Sequence, residues 1–127
     1  MIEKLEITRM AQAMASYAGA RMGIIARNIA NADTPGFKAR DLPDFARVYA
    51  SAPDQIKATR PGHFGSVMSG TTPKPMTISG EMAPNGNSVS LEQEMVRMAE
   101  VRQQHDMALS IYRSTSNILK TALGRGR

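Results

Sequence analysis

The side chains in this 127-residue chain that could do chemistry are two histidines, a close pair of glutamates and a scatter of serines. His63 and His105 could share a metal ion only if a turn-rich stretch folded back onto a helical one, and nothing in the sequence requires that. His105 stands one heptad from both Met98 and Tyr112, a spacing that reads as a helix seam or interface. Glu92 and Glu94 point to different faces of a helix, so they read as a solvated helix start rather than as cooperating carboxylates. The serine of "GHFGS" lacks the strand, turn and helix that a nucleophile elbow needs. No glycine run leads into the lysine and helix that cradle phosphate. With no cysteine, thiolate metal sites and disulfides are excluded. The expectation is a protein with no catalytic residues, no metal and no cofactor.

The elements that would carry such residues fall into three segments: 1–31, 32–90 and 91–127, within one domain. From Ile2 to Asn31 apolar residues recur at helical spacing, with Ile7, Met10, Met14 and Tyr17 on one line and Ala18, Met22, Ile25 and Ile29 on the next. Gly19 and Gly23 weaken this helix by about 1 kcal/mol each relative to alanine, so it needs a partner. From Leu91 to Leu123 a second pattern runs through Leu91, Met95, Met98, Leu109, Tyr112, Leu119 and Leu123, flanked by Ala108, Ile111, Ile118 and Ala122. Ser90 with Gln93 fits a capping box, and acids early with bases late suit the helix dipole. The fold class expected is mainly α: two long terminal helices pairing as an antiparallel, coiled-coil-like hairpin. Met14, Tyr17, Ile25, Met98, Leu109, Ile111, Tyr112, Ile118 and Leu119 are the expected seam residues, whether toward the partner helix or toward a neighbouring molecule.

All seven prolines and most glycines fall in 32–90, in runs such as "ATRPGHFGS", "SGTTPKPM" and "APNGNS". Short extended pieces are expected at Arg47–Ala50 and Pro75–Ser79. So long an irregular stretch inside a small domain points to ordering against neighbours or to disorder.

Charge bounds the partners. The net charge of +5 and a pI of about 10.0 raise the question of nucleic acid. The charge is spread, however, with Arg97, Arg102, Arg113 and Lys120 interleaved with acids, and only 5% of residues are aromatic. Neither nucleic-acid binding nor membrane insertion is expected, because no stretch approaches the ~20 apolar residues of a span. Glu3 and Glu6 in "MIEKLEITRM" break the pattern of a secretory signal, so any export is expected to use another route.

The first helix is stopped firmly. In "NIANADTPGF" Pro35 biases Thr34 away from helical angles, and Pro35-Gly36 suits the centre of a type II turn. Asn28 and Asn31 can satisfy last-turn carbonyls or adopt a left-handed conformation, and Asp33 can close a side-chain turn. The turn is expected to present Phe37, Lys38 and Arg40. A simple helix stop explains the proline and glycine but not the two asparagines or Phe37.

"NIANADTPGFKARDLPDF" resembles the signature near the amino end of the flagellar rod and hook axial proteins, and "NGNSVSLEQEM" resembles the second marker of that family. The "ARD" and "DF" continuation and the short length are similar to its proximal rod members; distal rod and hook relatives carry a large extra domain. Departures are Phe37 where tyrosine is commoner, Ser90 where aspartate is usual, and Pro43 between "ARD" and "DF". The resemblance implies a structural subunit, exported by the flagellar type III apparatus without a cleaved signal, that polymerises into the periplasmic rod. It implies as partners copies of itself, other flagellar rod proteins, and export-gate, adaptor and membrane-ring proteins at the rod base. Asn28, Asn31, Asp33, Thr34, Pro35, Gly36, Phe37, Arg40 and Asp41 are then the subunit-interface motif. The competing expectation is a cytoplasmic helical type III secretion adaptor or chaperone.

Overall fold

The structure is a computed structural model that describes residues 2–51 and 73–124. Helix α1 runs Ile2–Ala30 and helix α3 runs Leu91–Gly124. At ~1.5 Å per residue both are roughly 45–50 Å long. Glu3 lies in the first turn of α1 and Arg27 in its last, while Glu92 and Glu94 open α3, each sign matched to the local end of the helix dipole. Ser90 caps α3: its carbonyl accepts the Glu94 amide at 2.9 Å and its hydroxyl the Gln93 amide at 3.5 Å.

The two helices lie antiparallel, with the end of α1 beside the start of α3. The buried line of α3 is Glu94, Val101, Ala108 and Thr115. That of α1 passes through Ala11, Ala18 and Ile25. Both advance by seven residues, the repeat that keeps a seam facing its partner along a left-handed pair. Ala18, Ile25 and Val101 form the core, with Met22, Ile29 and Met98 packed against it.

The expected α1 stripe Ala18, Met22, Ile25 and Ile29 lies in or against this core, while on α3 the buried line differs from the stripe of large apolar residues. Tyr17 and Ile25 are buried, and Met14, Met98, Leu109, Ile111 and Leu119 are half-buried. Tyr112 and Ile118 are exposed, as are Leu91, Met95 and Leu123. Alanines and a threonine share the buried lines of the two helices with Ile25, Val101 and Glu94, and bulkier side chains flank them. Glu94, expected at a solvated helix start, is fully buried instead, because it lies on the seam line one heptad before Val101. Toward the open end of the hairpin the core runs out. None of the described side chains of residues 3–10 and 116–124 is buried.

Between the helices, β1 (Arg40–Asp41) pairs antiparallel with β2 (Met76–Thr77), with Arg40 opposite Thr77 and Asp41 opposite Met76. β2 falls inside the extended piece expected at Pro75–Ser79. Arg47–Ala50, expected as extended, lies instead in helix α2 (Phe45–Ser51). The Asp44 carbonyl starts that helix by accepting the amides of Arg47 and Val48 at 3.1 and 3.2 Å. Phe45 and Tyr49, four apart and so on one face, then stack in sequence on Tyr17, at centroid distances of 5.6 and 5.5 Å. His63, the "TRPGHF" stretch and most of the run between α2 and β2 lie outside the described residues.

The seam makes a directional prediction. Ala108 is 0% exposed, so Ala108→Leu should force the helices apart and cost about 1–3 kcal/mol. Ile118 is 50% exposed, and Ile118→Ala should change subunit stability by less than about 0.5 kcal/mol. Urea unfolding followed by circular dichroism separates the two; equal effects would refute the seam.

Candidate functional site

An α-helix leaves its last carbonyls without partners, and the end of α1 is crowded by two other segments, so those carbonyls need protein donors. After Ala30 the chain makes two successive turns, closed by the Thr34 amide on the Asn31 carbonyl (3.1 Å) and the Phe37 amide on the Thr34 carbonyl (3.3 Å). The second has Pro35 and Gly36 at its centre and Gly36 at φ 74°, as a type II turn demands. Asn31 turns its amide back onto the Arg27 carbonyl (2.8 Å) and accepts the Thr34 hydroxyl on its side-chain oxygen (3.1 Å).

The carbonyls of these turns draw further donors from far along the chain. The side-chain amide of Asn87, which is buried, reaches the carbonyls of Asn31, Ala32 and Thr34 at 2.8, 2.9 and 2.8 Å. Its side-chain oxygen accepts the Val89 amide at 2.8 Å, so Asn87 sits locked between the end of α1 and the approach to α3. The segment that presents it is a tight turn over Ala83–Asn87, closed by the Gly86 amide on the Ala83 carbonyl (2.9 Å) and the Ala83 amide on the Asn87 carbonyl (2.8 Å). Gly86 has φ 82°, and a Cβ on it would stand 3.5 Å from the Gly36 Cα. The two left-handed glycines thus lie back to back. The Gly36 amide donates to the Asn85 carbonyl and the Ser88 amide to the Phe37 carbonyl, both at 3.0 Å. The Ser88 hydroxyl accepts the Ala39 amide at 2.9 Å.

Asn28 was expected to cap or to turn left-handed. Instead it is a buried bracket, 1% exposed, because it faces both the returning chain and the seam. Its amide donates to the Arg40 carbonyl (2.7 Å) and to Glu94 Oε2 (3.2 Å), and its oxygen accepts the Arg40 amide (3.2 Å). Among the described residues no side-chain-bearing residue has a positive φ. Glu94 Oε1 takes the Arg97 guanidinium, so the buried carboxylate is held from two sides.

From Arg40 the chain runs back along α1. Arg21 forks onto Asp41 through Nε and Nη2, both at 2.9 Å, with Asp44 3.5 Å from Nη1. Hydrogen bonding to Asp41 holds the Arg21 pKa above its ordinary value. The Tyr17 hydroxyl donates to the Pro43 carbonyl, which fixes the course of the loop at that proline. Burial raises the Tyr17 pKa above 10.0; the Arg21 charge opposes this, and Asp41 and Asp44 add to it.

The structure therefore gathers Asn28, Asn31, Thr34, Gly36, Phe37, Arg40 and Asp41 at the head of the hairpin. Asp41 is buried with Asn28; Phe37, expected to be presented, is half-buried; Asp33, Thr34, Pro35, Gly36 and Arg40 are exposed. Asp33 closes no side-chain turn among the described residues. Sequence reasoning missed Arg21, Glu94 and Asn87, and for Asn87 the available signal was its place in "NGNS" just before the capping serine.

The chain is thus a helical hairpin sealed at its head by two short motifs far apart in the sequence. Residues 11–38 match the family model for flagella basal body rod protein. The chain is 29% identical over 130 residues to the flagellar basal body rod protein FlgB of Agrobacterium fabrum, covering 98% of this chain and 97% of that one. Against FlgB of Escherichia coli it is 30% identical over 122 residues, covering 87% and 88%. Against FlgB of Bacillus subtilis it is 27% identical over 115 residues, covering 88% of each. The class is the flagellar basal body rod proteins. Within it the chain belongs to the FlgB family, a family of structural proteins rather than enzymes.

Two outcomes follow for the head. Asn87→Ala takes one donor from each of three carbonyls, of which those of Asn31 and Thr34 keep a turn amide, and should cost about 1–3 kcal/mol, with hydrogen exchange accelerated first at residues 31–37; unchanged exchange there would contradict the latch. Because the folded pKa of Tyr17 is raised, its contribution is fully present below about pH 10 and is lost as pH climbs through the folded value. Tyr17→Phe should melt at lower temperature near neutrality yet show a flatter loss of melting temperature above that pH.

Proposed function

We propose that this chain is a subunit of the proximal rod, its hairpins packing with copies of themselves and with other rod proteins into a helical tube. The observation that carries this reading is apolar surface left over after the hairpin has closed. Val96, Met107 and Ile118 follow one another at steps of eleven along α3, the spacing of a nearly straight line on a helix. About 200° of rotation separates Val96 from Glu94 on the line buried against α1, and the two lines converge along the helix until Ile118 stands about 60° from Thr115. At the open end Leu5, Ile7 and Leu123, the last 70% exposed, are uncovered as well. Each such side chain buried against a neighbour contributes roughly 1.5–3 kcal/mol, so a handful per contact offsets the ordering of the helix ends.

In this reading the tube transmits torque and conducts exported subunits. The chain reaches the periplasm through the type III apparatus without a cleaved signal, and the rod base meets export-gate, adaptor and ring proteins. None of the described helices is long and apolar enough to cross a membrane. The exposed motif residues Thr34, Pro35, Gly36 and Arg40 dock on the next subunit, while Asn28, Asn31 and Asp41 hold the loop in the shape that docks. The relatives named FlgB, all called basal body rod proteins, support the rod part of this reading.

Cells carrying Gly36→Val should synthesise the chain, fail to swim and yield basal bodies lacking it, because valine is strained at φ 74°. Wild-type chain should co-purify with basal bodies. Normal swimming of the mutant, or wild-type chain confined to the cytoplasm as an adaptor or chaperone would be, contradicts the proposal.

A further inference from the structure

Asparagine followed by glycine is the least hindered setting for backbone attack on a side-chain amide, and this chain places one such pair, Asn85-Gly86, in the turn that carries Asn87. We propose that Asn85 is a spontaneous deamidation site, held unreactive while the hairpin head is latched and released whenever it opens.

The step needs no oxidant or enzyme, only water. The Gly86 backbone nitrogen gives up its proton to solvent base and attacks Asn85 Cγ. A nitrogen–carbon bond forms, the bond from Cγ to Nδ2 breaks, and ammonia leaves, closing a five-membered imide. Water then opens the ring at either carbonyl, giving aspartate or isoaspartate at position 85.

The fold opposes the first of these events at three points. The Gly86 amide is engaged with the Ala83 carbonyl at 2.9 Å, so its proton is already committed. The other end of the same peptide unit, the Asn85 carbonyl, accepts the Gly36 amide at 3.0 Å. A peptide plane fastened at both ends cannot swing its nitrogen toward Cγ. Asn85 Oδ1, in turn, accepts the Asn87 amide at 3.1 Å, which fixes the side chain. Attack therefore waits for the turn to detach from Gly36 and Ala83, and the rate becomes the open fraction multiplied by the rate of the free chain.

The isoaspartate product cannot restore the latch. Isoaspartate inserts a methylene into the backbone next to the Gly86 amide and turns the carbonyl that the Gly36 amide meets into a branching carboxylate. The fraction of unlatched chain that passes to isoaspartate thus no longer closes its head.

The test is the chain incubated in mildly alkaline buffer with and without guanidinium chloride. Peptide mass spectrometry locates amide-to-acid conversion, and isoaspartyl methyltransferase serves as the probe for isoaspartate. In denaturant Asn85 should react fastest of the asparagines, ahead of Asn28, Asn31, Asn87 and Asn117, which precede larger residues. In buffer alone its rate should fall at least ~10-fold. Asn87→Ala, and the milder Gly36→Ala, should move the rate in buffer toward the denatured value, while Ile118→Ala should not. Equal wild-type rates with and without denaturant, a different asparagine reacting first, or latch variants as slow as wild type would each overturn the proposal.

Discussion

The whole head of this subunit depends on one requirement: the carbonyls of the turns that follow α1 must find donors where the chain doubles back on itself. Asn87 meets it with a single amide directed at Asn31, Ala32 and Thr34. That contact brings the sequence before α3 against the sequence after α1 and so sets where α3 begins. Asn28 repeats the device one turn earlier, matching the Arg40 backbone as a strand neighbour would while also holding Glu94. With Arg21 on Asp41 and Tyr17 on Pro43, one side of α1 fastens the returning chain at three successive levels. Polar groups buried this way are costly when unpaired, which makes the arrangement cooperative: loss of one partner leaves several others unsatisfied.

The shaft follows a different logic. Its seam is thin, built from Ala11, Ala18, Ile25, Val101, Ala108 and Thr115 around the few larger side chains near the head. Burial fades toward the open end, where the larger apolar residues are uncovered. Closure of the head is thus internal to the chain, whereas completion of the shaft is left to its surroundings. A rod protein needs that division, since a subunit that satisfied all of its own surface would have little reason to polymerise.

How far the sequence disclosed this depended on the range of the interaction. Both helices were legible because their apolar periodicity is long, and Ser90 announced the start of α3. The type II turn was legible because Pro35 and Gly36 state their own geometry. On α1 the stripe Ala18, Met22, Ile25 and Ile29 was legible as the packed one; on α3 periodicity weighs large side chains, and Tyr112 and Ile118, which stand out in the pattern, lie outside the subunit's own core. Arg47–Ala50 read as extended from local preference, yet Asp44 and the stacking on Tyr17 make it helical. Glu94 read as solvated, and its burial depends on Asn28, 66 positions away. Arg21 with Asp41, and Asn87 with the end of α1, likewise join residues that no periodicity links. The motif "NIANADTPGF" was conspicuous, but its purpose, a socket for Asn87, became visible only once both ends of the chain were together.

The central claim is that the head is finished within one chain and the shaft only between chains. Hydrogen exchange on the isolated subunit and on the same subunit in purified basal bodies measures it most directly. The account predicts that residues 28–42 and 83–94 are protected in both, and that residues 3–10 and 116–124 gain protection only on assembly. Shaft ends already protected in the isolated chain, or a head that exchanges freely until assembly, would contradict it.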